Sequence, residues 1–308
     1  MYTASIIIPI YNSKRTLHKC VESILFNSYK DIEIILVDDC SSDGSWEICR
    51  NFSSKYKNII SIQNEINSGV SYTRNRGLDA ASGNYILFCD SDDWISDEYV
   101  TTLIKQAQTT PDMLICCGYS KCFVEKQQMV VISSSDNNII PPADIFLLMD
   151  KELIHYVWNK CFLLDIIRKA NIRFDETQYM GEDFQFVLDY MKAINNWSCL
   201  VINKPLYFYS QLNPQSLVSR WSRTENLYQA VRRIEQLAVI SGNAELGNKK
   251  ISELKDSFVY FIARDSSRTR HQRIQDIEHV RNDGRATRHY LMQRWFYFKE
   301  KLIKLLKK

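Results

Sequence analysis

Three carboxylates fall within four positions at the end of a short apolar segment of this sequence, in the stretch Gly83 to Trp94. The run Tyr85 to Cys89 is apolar and aromatic, as in a buried strand, and Asp90, Asp92 and Asp93 follow directly. Carboxylates this close repel one another unless a cation lies between them. The stretch therefore predicts a divalent-metal site at the carboxyl end of a strand, and the alternative is a solvated loop before a helix cap.

A second acidic pair also follows a buried strand. The β-branched runs Ser5 to Ile10 and Ile32 to Val37 are typical of strands buried on both faces, and the second ends in Asp38-Asp39. Strand and helix patterns alternate with short connections through the first third of the chain, which predicts a doubly wound, mostly parallel α/β sheet. We therefore expect both acidic strand ends to face one ligand crevice along the carboxyl edge of that sheet.

The third acidic pair, Glu182-Asp183, comes between Gly181 and an apolar pattern with helical spacing that begins at Phe184. The pair should therefore occupy the first turn of a helix. Acidic side chains in a first turn are stabilised by the helix macrodipole, so this position alone is consistent with a purely structural role. The residues leave both a structural and a chemical role open.

The bulk composition is that of a globular protein. The 308 residues are 45% hydrophobic and 24% charged, which excludes a disordered or fibrous chain. No segment reaches the about 18 consecutive apolar residues of a membrane span, and the first residues lack a basic leader, so we expect a cytoplasmic protein. The nine cysteines include no Cys-x-x-Cys pair, so we expect reduced thiols rather than zinc ligands or disulfides.

Charge is unevenly distributed along the chain. Residues 264–308 contain 13 Lys or Arg and 5 Asp or Glu. Within this region five apolar residues share one helical face, and lysines surround it; the five are Leu291, Trp295, Phe298, Leu302 and Leu305. The pattern predicts a helix lying in an anionic membrane interface, and the alternative is a helix docked on its own domain or in a homodimer. We expect no nucleic-acid partner.

Six segments together resemble the family-2 glycosyltransferases of the GT-A fold, especially bacterial enzymes that build capsule, O-antigen or exopolysaccharide. They are Ser5 to Asn12, Val37 to Ser45, Asn67 to Asn75, Asp90 to Asp93, Trp158 to Lys160 and Gly181 to Asp183. The resemblance covers about residues 5–219. It implies a GT-A domain at 1–219, with a nucleotide-binding half at 1–110 and an acceptor half at 111–219, followed by a basic C-terminal helical extension at 220–308.

The resemblance implies a UDP-sugar site in the first half of the chain. The matching donor-site positions are Pro9, Tyr11, Asp39, Asn67, Gly69, Arg74, Asp90 and Ser91. In this interpretation Asp39 bonds the uracil ring, Tyr11 and Arg74 lie near the nucleotide, and Asp90 reaches the ribose. Asp92 is the metal ligand of the Asp-x-Asp motif and holds Mn²⁺ or Mg²⁺ against the diphosphate. For Asp93, a supporting role and a helix-capping role stay open.

The resemblance also implies an inverting transfer, which needs one general base to accept the proton of the attacking acceptor hydroxyl. Asp183 is favoured for this role and Glu182 is the alternative. The implied acceptor is a lipid-linked glycan or oligosaccharide at the inner face of the cell membrane. One departure concerns the end of the domain: similar enzymes often carry an arginine after a Tyr-x-Tyr segment, whereas Ser210-Gln211 follows Tyr207 to Tyr209 here. Closure of a loop over the diphosphate is therefore in doubt.

Two other functions are weighed against this one. A sugar nucleotidyltransferase needs a glycine-rich basic loop after the first strand to hold a triphosphate, and Asn12 to Arg15 contains no glycine. A sugar- or lipid-binding module that has lost its chemistry is the other alternative. The intact Asp92 and Glu182-Asp183 argue against it.

Overall fold

The structure is a computed structural model that describes residues 2–123, 127–134, 136–178, 181–194, 198–211, 224–264 and 269–282. The chain divides into two compact units, residues 1–212 and 213–308. The first unit contains a ten-stranded sheet and seven α-helices among its described residues, and the second contains three α-helices. The α/β class predicted from the sequence is confirmed.

The strands of the first unit are β1 (Ala4–Ile10), β2 (Ile32–Asp38), β3 (Ile59–Gln63), β4 (Tyr85–Phe88), β5 (Trp94–Ile95), β6 (Met113–Phe123), β7 (Gln128–Ile132), β8 (Asn138–Ile140), β9 (Lys160–Leu163) and β10 (Ser198–Ser210). Its helices are α1 (Leu17–Leu25), α2 (Ser45–Lys55), α3 (Val70–Ala80), α4 (Tyr99–Thr109), α5 (Phe146–Asp150), α6 (Leu164–Lys169) and α7 (Glu182–Ala193). The second unit contains α8 (Thr224–Ser241), α9 (Ala244–Arg264) and α10 (Arg270–Asn282).

The strand order of the main path is β3-β2-β1-β4-β9-β6-β10-β5. The first four strands of this path are parallel, and β9 runs antiparallel to both of its neighbours, β4 and β6. All seven residues of β1 and of β2 are buried, which explains their continuous apolar, β-branched composition. The chain continues from β1 to β2 on one side and returns to β4 on the other. This change of direction opens a crevice at the carboxyl ends of β1 and β4.

The second half of the sheet departs in detail from the sequence-based expectation. The sequence predicts two strands at 197–202 and 206–209, whereas the structure has one strand, β10, paired in parallel with β6. Register shifts occur on both sides of Pro205. Proline has no N–H to donate to the ladder, so an irregularity at this position lets the strand continue beyond it. The irregular or antiparallel excursion predicted at 121–135 contains β7, antiparallel to β6.

The three described helices of the second unit agree with the helical pattern of the sequence. The amphipathic helix predicted around Leu291 to Leu305 lies outside the described residues. Among the helices that the structure describes, none combines the length and apolar character needed to cross a membrane.

Gly83 lets α3 connect to β4 close against the backbone of β1. A Cβ at this position would lie 2.5 Å from the carbonyl carbon of Ala4 and 2.6 Å from the nitrogen of Ser5. Because both atoms belong to the backbone of a central strand, neither can shift without distorting the sheet.

We expect Gly83→Ala to lower the free energy of unfolding by about 1–3 kcal/mol, measured by urea denaturation. The exposed neighbour Asn84 is the control, and Asn84→Ala should change stability by less than about 0.5 kcal/mol. Equal urea midpoints for the two variants would contradict this account.

Candidate active site

The acidic segment after β4 forms a tight turn that separates its three carboxylates. The N–H of Asp93 donates to the carbonyl of Asp90 at 3.1 Å, which closes the turn. Asp90 and Asp92 stay partly accessible, whereas Asp93 is buried. The turn therefore directs two carboxylates toward solvent and one into the protein.

Asp93 attaches this turn to β10 by two hydrogen bonds. Its carboxylate accepts a hydrogen bond from the Tyr207 hydroxyl at 2.6 Å and another from the Ser210 N–H at 2.7 Å. Burial raises the pKa of Asp93 well above its ordinary value, and the charges of Asp90 and Asp92 raise it further. Helix α4 begins later, at Tyr99, so the helix-cap alternative for Asp93 is wrong. Its contacts instead give it a supporting role.

Arg74 joins the acidic turn to the start of α7. It lies on α3 with its side chain only 4% exposed, and its guanidinium nitrogens contact three carboxylates. The distances are 3.0 Å to Asp90, 3.3 Å to Glu182 and 2.6 Å to Asp183. One positive charge thus faces three negative ones. The family resemblance implies a position near the nucleotide for Arg74, and in the structure it lies between Asp90, the predicted ribose ligand, and Asp183, the predicted base.

The acidic pair lies in the first turn of α7, as the sequence predicts. Gly181 precedes the helix at a φ of +74°, a conformation that favours glycine. Burial raises the pKa of Asp183 to about 7; Arg74 opposes this shift, while the charges of Glu182 and Asp90 add to it. The N–H of Val157 also lowers that pKa, because it donates to the carboxylate at 3.3 Å. An acid whose pKa lies near neutrality can accept a proton at physiological pH.

Asp39 organises a neighbouring loop. Its Oδ1 accepts from the Asn64 side chain at 2.7 Å and from the Ser68 N–H at 2.8 Å, and its Oδ2 accepts from the Gly69 N–H at 2.8 Å. The φ of Gly69 is +88°, so this loop conformation favours glycine. The predicted uracil ligand is therefore also the anchor of the loop before α3. This structural role of Asp39 is not among the predictions made from the sequence.

The remaining predicted donor-site residues differ in solvent exposure. Tyr11 is 52% exposed, and Asn67 and Gly69 are also exposed. Ser91 is buried, with its hydroxyl 2.6 Å from that of Ser13, so Ser13 joins this edge of the site. Pro9 is buried inside β1. The exposed groups are available to a ligand, whereas Pro9 supports them from within the sheet.

Asp92, the predicted metal ligand, is partly exposed beside Asp90. Burial raises the pKa of its carboxyl to about 6, and the charge of Asp90 adds to the shift. In the described part of the chain, no ion pair involves Asp92 and no group of three His, Cys, Asp or Glu could hold a metal by itself. A nearby cation would favour the ionised form of the Asp92 carboxylate, and Mn²⁺ and Mg²⁺ both prefer oxygen ligands. Asp92 therefore fits either ion, provided that a diphosphate or water supplies the other ligands.

An aromatic cluster lies behind these carboxylates. The Trp158 ring stacks with Tyr207 at 4.3 Å and with Tyr156 at 4.6 Å between centroids. The Tyr207 hydroxyl links this cluster to the acidic turn, because it accepts the Asp90 N–H at 3.1 Å and donates to Asp93. Tyr156 and Tyr207 are not among the site residues predicted from the sequence. The adjacent Trp-Asn-Lys and Tyr-x-Tyr segments were the available signals.

Comparison with known proteins gives a family match and curated relatives. The family described as "Glycosyl transferase family 2" matches residues 5–167. "Uncharacterized glycosyltransferase EpsJ" of Bacillus subtilis is 31% identical over 221 residues, which are 69% of this chain and 62% of EpsJ. "UDP-Glc:alpha-D-GlcNAc-diphosphoundecaprenol beta-1,3-glucosyltransferase WfaP" of Escherichia coli is 41% identical over 127 residues, which are 41% of this chain and 48% of WfaP. The chain thus spans less than two thirds of the length of both relatives.

Solved structures of S. aureus TarS share the fold. The crystal structure of TarS 1–349 superposes with a TM-score of 0.66 at 21% identity, covering 99% of this chain and 89% of that chain. The structure of the same fragment in complex with UDP-GlcNAc gives a TM-score of 0.60 at 19% identity, covering 96% and 75%. The mostly parallel sheet described above is therefore that of the TarS structures.

Proposed function

This chain belongs to glycosyl transferase family 2, and from that membership we propose that it is an inverting, metal-dependent glycosyltransferase. It moves a hexose or N-acetylhexosamine from a UDP-sugar to a glycan acceptor in surface polysaccharide synthesis. The observation that carries this proposal is the Arg74 cluster, which brings the acidic turn after β4 together with the acidic pair of α7. A donor-binding carboxylate and a candidate base thus lie on opposite sides of one guanidinium.

The proposed donor is a UDP-sugar. TarS has been crystallised with UDP-GlcNAc, and WfaP is named for a UDP-glucose donor. In this chain Asp39 and the exposed Tyr11 are the proposed contacts of the uracil base, and Asp90 is that of the ribose. Among the residues that the structure describes, the Asp90 carboxylate accepts one hydrogen bond, from Arg74, which leaves acceptor capacity for a hydroxyl.

Asp92 is the proposed protein ligand of Mn²⁺ or Mg²⁺. When bound, the metal would neutralise charge on the diphosphate and make it a better leaving group. Asp92 supplies one oxygen ligand for this ion. The buried Asp93, held by Tyr207 and Ser210, fixes the turn on which Asp92 is carried.

Asp183 is the proposed general base, with Glu182 as the alternative. The acceptor hydroxyl oxygen forms a bond to the anomeric carbon from the face opposite the diphosphate, and the bond from that carbon to the diphosphate oxygen breaks. Asp183 accepts the hydroxyl proton, and UDP leaves with the bonding electron pair. Arg74 holds the carboxylate at 2.6 Å and so fixes its orientation toward the acceptor.

The proposed acceptor is a glycan on a lipid diphosphate at the inner face of the cell membrane. WfaP is named for an acceptor of this kind, and the basic C-terminal segment of this chain suits an anionic lipid surface. That segment lies largely outside the described residues, so its support comes from the sequence. A homodimer is the alternative occupant of its apolar face.

The proposal is tested by incubating the protein with a panel of UDP-, GDP- and dTDP-sugars, with and without Mn²⁺, and measuring nucleotide release. We expect release from a UDP-sugar only, dependent on the metal and accelerated by a lipid-linked glycan acceptor. The anomeric configuration of the product, determined by NMR, should be opposite to that of the donor. Binding of UDP without turnover of any sugar would instead support the inactive binding module, and a retained configuration would contradict an inverting transfer.

A further inference from the structure

Lys160 is a fully buried lysine outside the proposed reaction. It is 0% exposed at the start of β9, and its ammonium donates to three oxygens. They are the carbonyl of Leu153 at 2.7 Å, the carbonyl of Tyr156 at 2.5 Å and the side-chain oxygen of Asn159 at 2.7 Å. An ammonium has three N–H groups, so all three are used. Among the described residues, no ion pair involves Lys160.

The residues before Lys160 form a turn, Leu153 to Asn159, that is held by several side-chain hydrogen bonds. The Asn159 amide donates to the carbonyl of Leu153 at 3.1 Å and to that of Cys117 at 3.0 Å. The Tyr99 hydroxyl donates to the carbonyl of Trp158 at 2.6 Å. Asn159 and Lys160 both join the ends of this turn, and Lys160 also holds its middle, because its ammonium donates to the Tyr156 carbonyl as well.

One backbone group of the turn points to the proposed base. Val157 is buried, and its N–H donates to Asp183 Oδ2 at 3.3 Å, while Arg74 contacts the other oxygen at 2.6 Å. The carboxylate is therefore held from both sides, by a guanidinium on α3 and by the turn. The orientation of Asp183 therefore depends on the position of Val157 as well as on Arg74.

We infer that Lys160 is a positioning residue for Asp183, because its ammonium fixes the turn that presents the Val157 N–H to that carboxylate. This inference rests on the proposed function, in which Asp183 is the base. Burying an ammonium without a carboxylate partner is costly, so the position of Lys160 directs attention to the groups that it holds. Without Lys160, the Tyr156 carbonyl and the Asn159 side-chain oxygen would lose this donor, and the Leu153 carbonyl would lose one of its donors.

Burial lowers the pKa of Lys160, and the nearby thiols of Cys116, Cys199 and Cys117 and the carboxylate of Asp183 oppose that shift. In its charged form Lys160 acts on Asp183 in the same direction as its hydrogen bonds. The groups around Asp183 are Arg74, Glu182, Asp90, the Val157 N–H and the more distant Tyr156 and Lys160. Positive charge and N–H donation favour the ionised carboxylate, which is the form that accepts a proton, whereas the neighbouring carboxylates disfavour it. Removing Lys160 therefore weakens both the orientation of the base and its ionisation.

The test compares Lys160→Met with Lys151→Met, a matched control at an exposed lysine just before the turn. We expect Lys160→Met to lower kcat about 10–100-fold, because small misplacements of a reacting group have effects of this size. The KM for the UDP-sugar and the affinity for UDP, measured by calorimetry, should change less than about twofold, since the donor contacts lie elsewhere. The acid limb of the kcat profile should move to higher pH. Lys151→Met should match the wild type in every measurement.

Lys160→Gln provides a second comparison, because it keeps two N–H donors and loses the charge. Its kcat should lie between those of the wild type and Lys160→Met, and it replaces Lys160→Met if that variant does not fold, as judged by circular dichroism. A folded variant with wild-type kcat, or with kcat unchanged and a raised KM, would overturn the inference. An inactive wild-type protein would instead contradict the proposed function.

Discussion

Replacing Asp183 by Asn is expected to lower kcat about 10²–10⁴-fold, the usual contribution of a general base. The amide has nearly the same shape and keeps one acceptor oxygen, which can accept from Arg74 or from Val157, but it cannot take the acceptor proton. It also leaves Arg74 paired with Asp90 and Glu182, so the cluster should stay assembled. The KM for the UDP-sugar should therefore change little. Steady-state kinetics with calorimetric titration of UDP separates these two quantities.

Asp189→Asn is the matched control, because Asp189 lies on the same helix and is partly exposed in an ion pair with Lys192. It should keep wild-type activity. Glu182→Gln distinguishes the two candidates: if it abolishes turnover while Asp183→Asn does not, the base is Glu182. Near-normal rates for both variants would show that neither carboxylate is the base.

The pH dependence of the wild-type enzyme follows from the same residue. Burial raises the pKa of Asp183 to about 7. A base must be ionised to act, so kcat should rise as pH increases through about 7 and fall about tenfold per pH unit well below it. This limb should disappear from the residual activity of Asp183→Asn. An unchanged limb in that variant would assign the titration to another group.

Replacing Asp92 by Asn is expected to lower kcat/KM about 10²–10³-fold, because a bound metal contributes several kcal/mol of charge stabilisation. We expect the variant to bind the metal more weakly, because an amide is a weaker ligand for a hard cation than a carboxylate. Calorimetry should therefore show that Mn²⁺ raises the affinity of the wild type for UDP and has a much smaller effect on Asp92→Asn.

The exposed Asp97 is the control for this second substitution, because it lies five positions further along the chain. Asp97→Asn should bind UDP with the same metal dependence as the wild type. If Mn²⁺ stimulates Asp92→Asn as strongly as it stimulates the wild type, Asp92 is not the metal ligand. The turn itself should survive the change, because Asp93 provides its attachment to β10.

Local sequence patterns were sufficient to predict the first half of the sheet and the location of its acidic residues. Side-chain periodicity is a local property, so the buried runs of β1, β2 and β4 are readable without knowledge of their neighbours. Short strand-helix connections then require parallel strands, whose carboxyl ends share one edge. The carboxylates that follow β2 and β4 were therefore expected at that edge before any contact was known.

The partners of these carboxylates could not be predicted from the sequence, because they come from distant segments of the chain. The contact of Arg74 with Asp183 spans 109 positions, and that of Tyr207 with Asp93 spans 114. A buried charge needs a partner, but the partner comes from whichever distant segment the fold brings there, and sequence spacing does not encode that choice. For this reason the sequence places Arg74 beside a nucleotide and leaves Asp93 open. The fold makes Arg74 the link between two acidic segments and Asp93 an anchor of one of them.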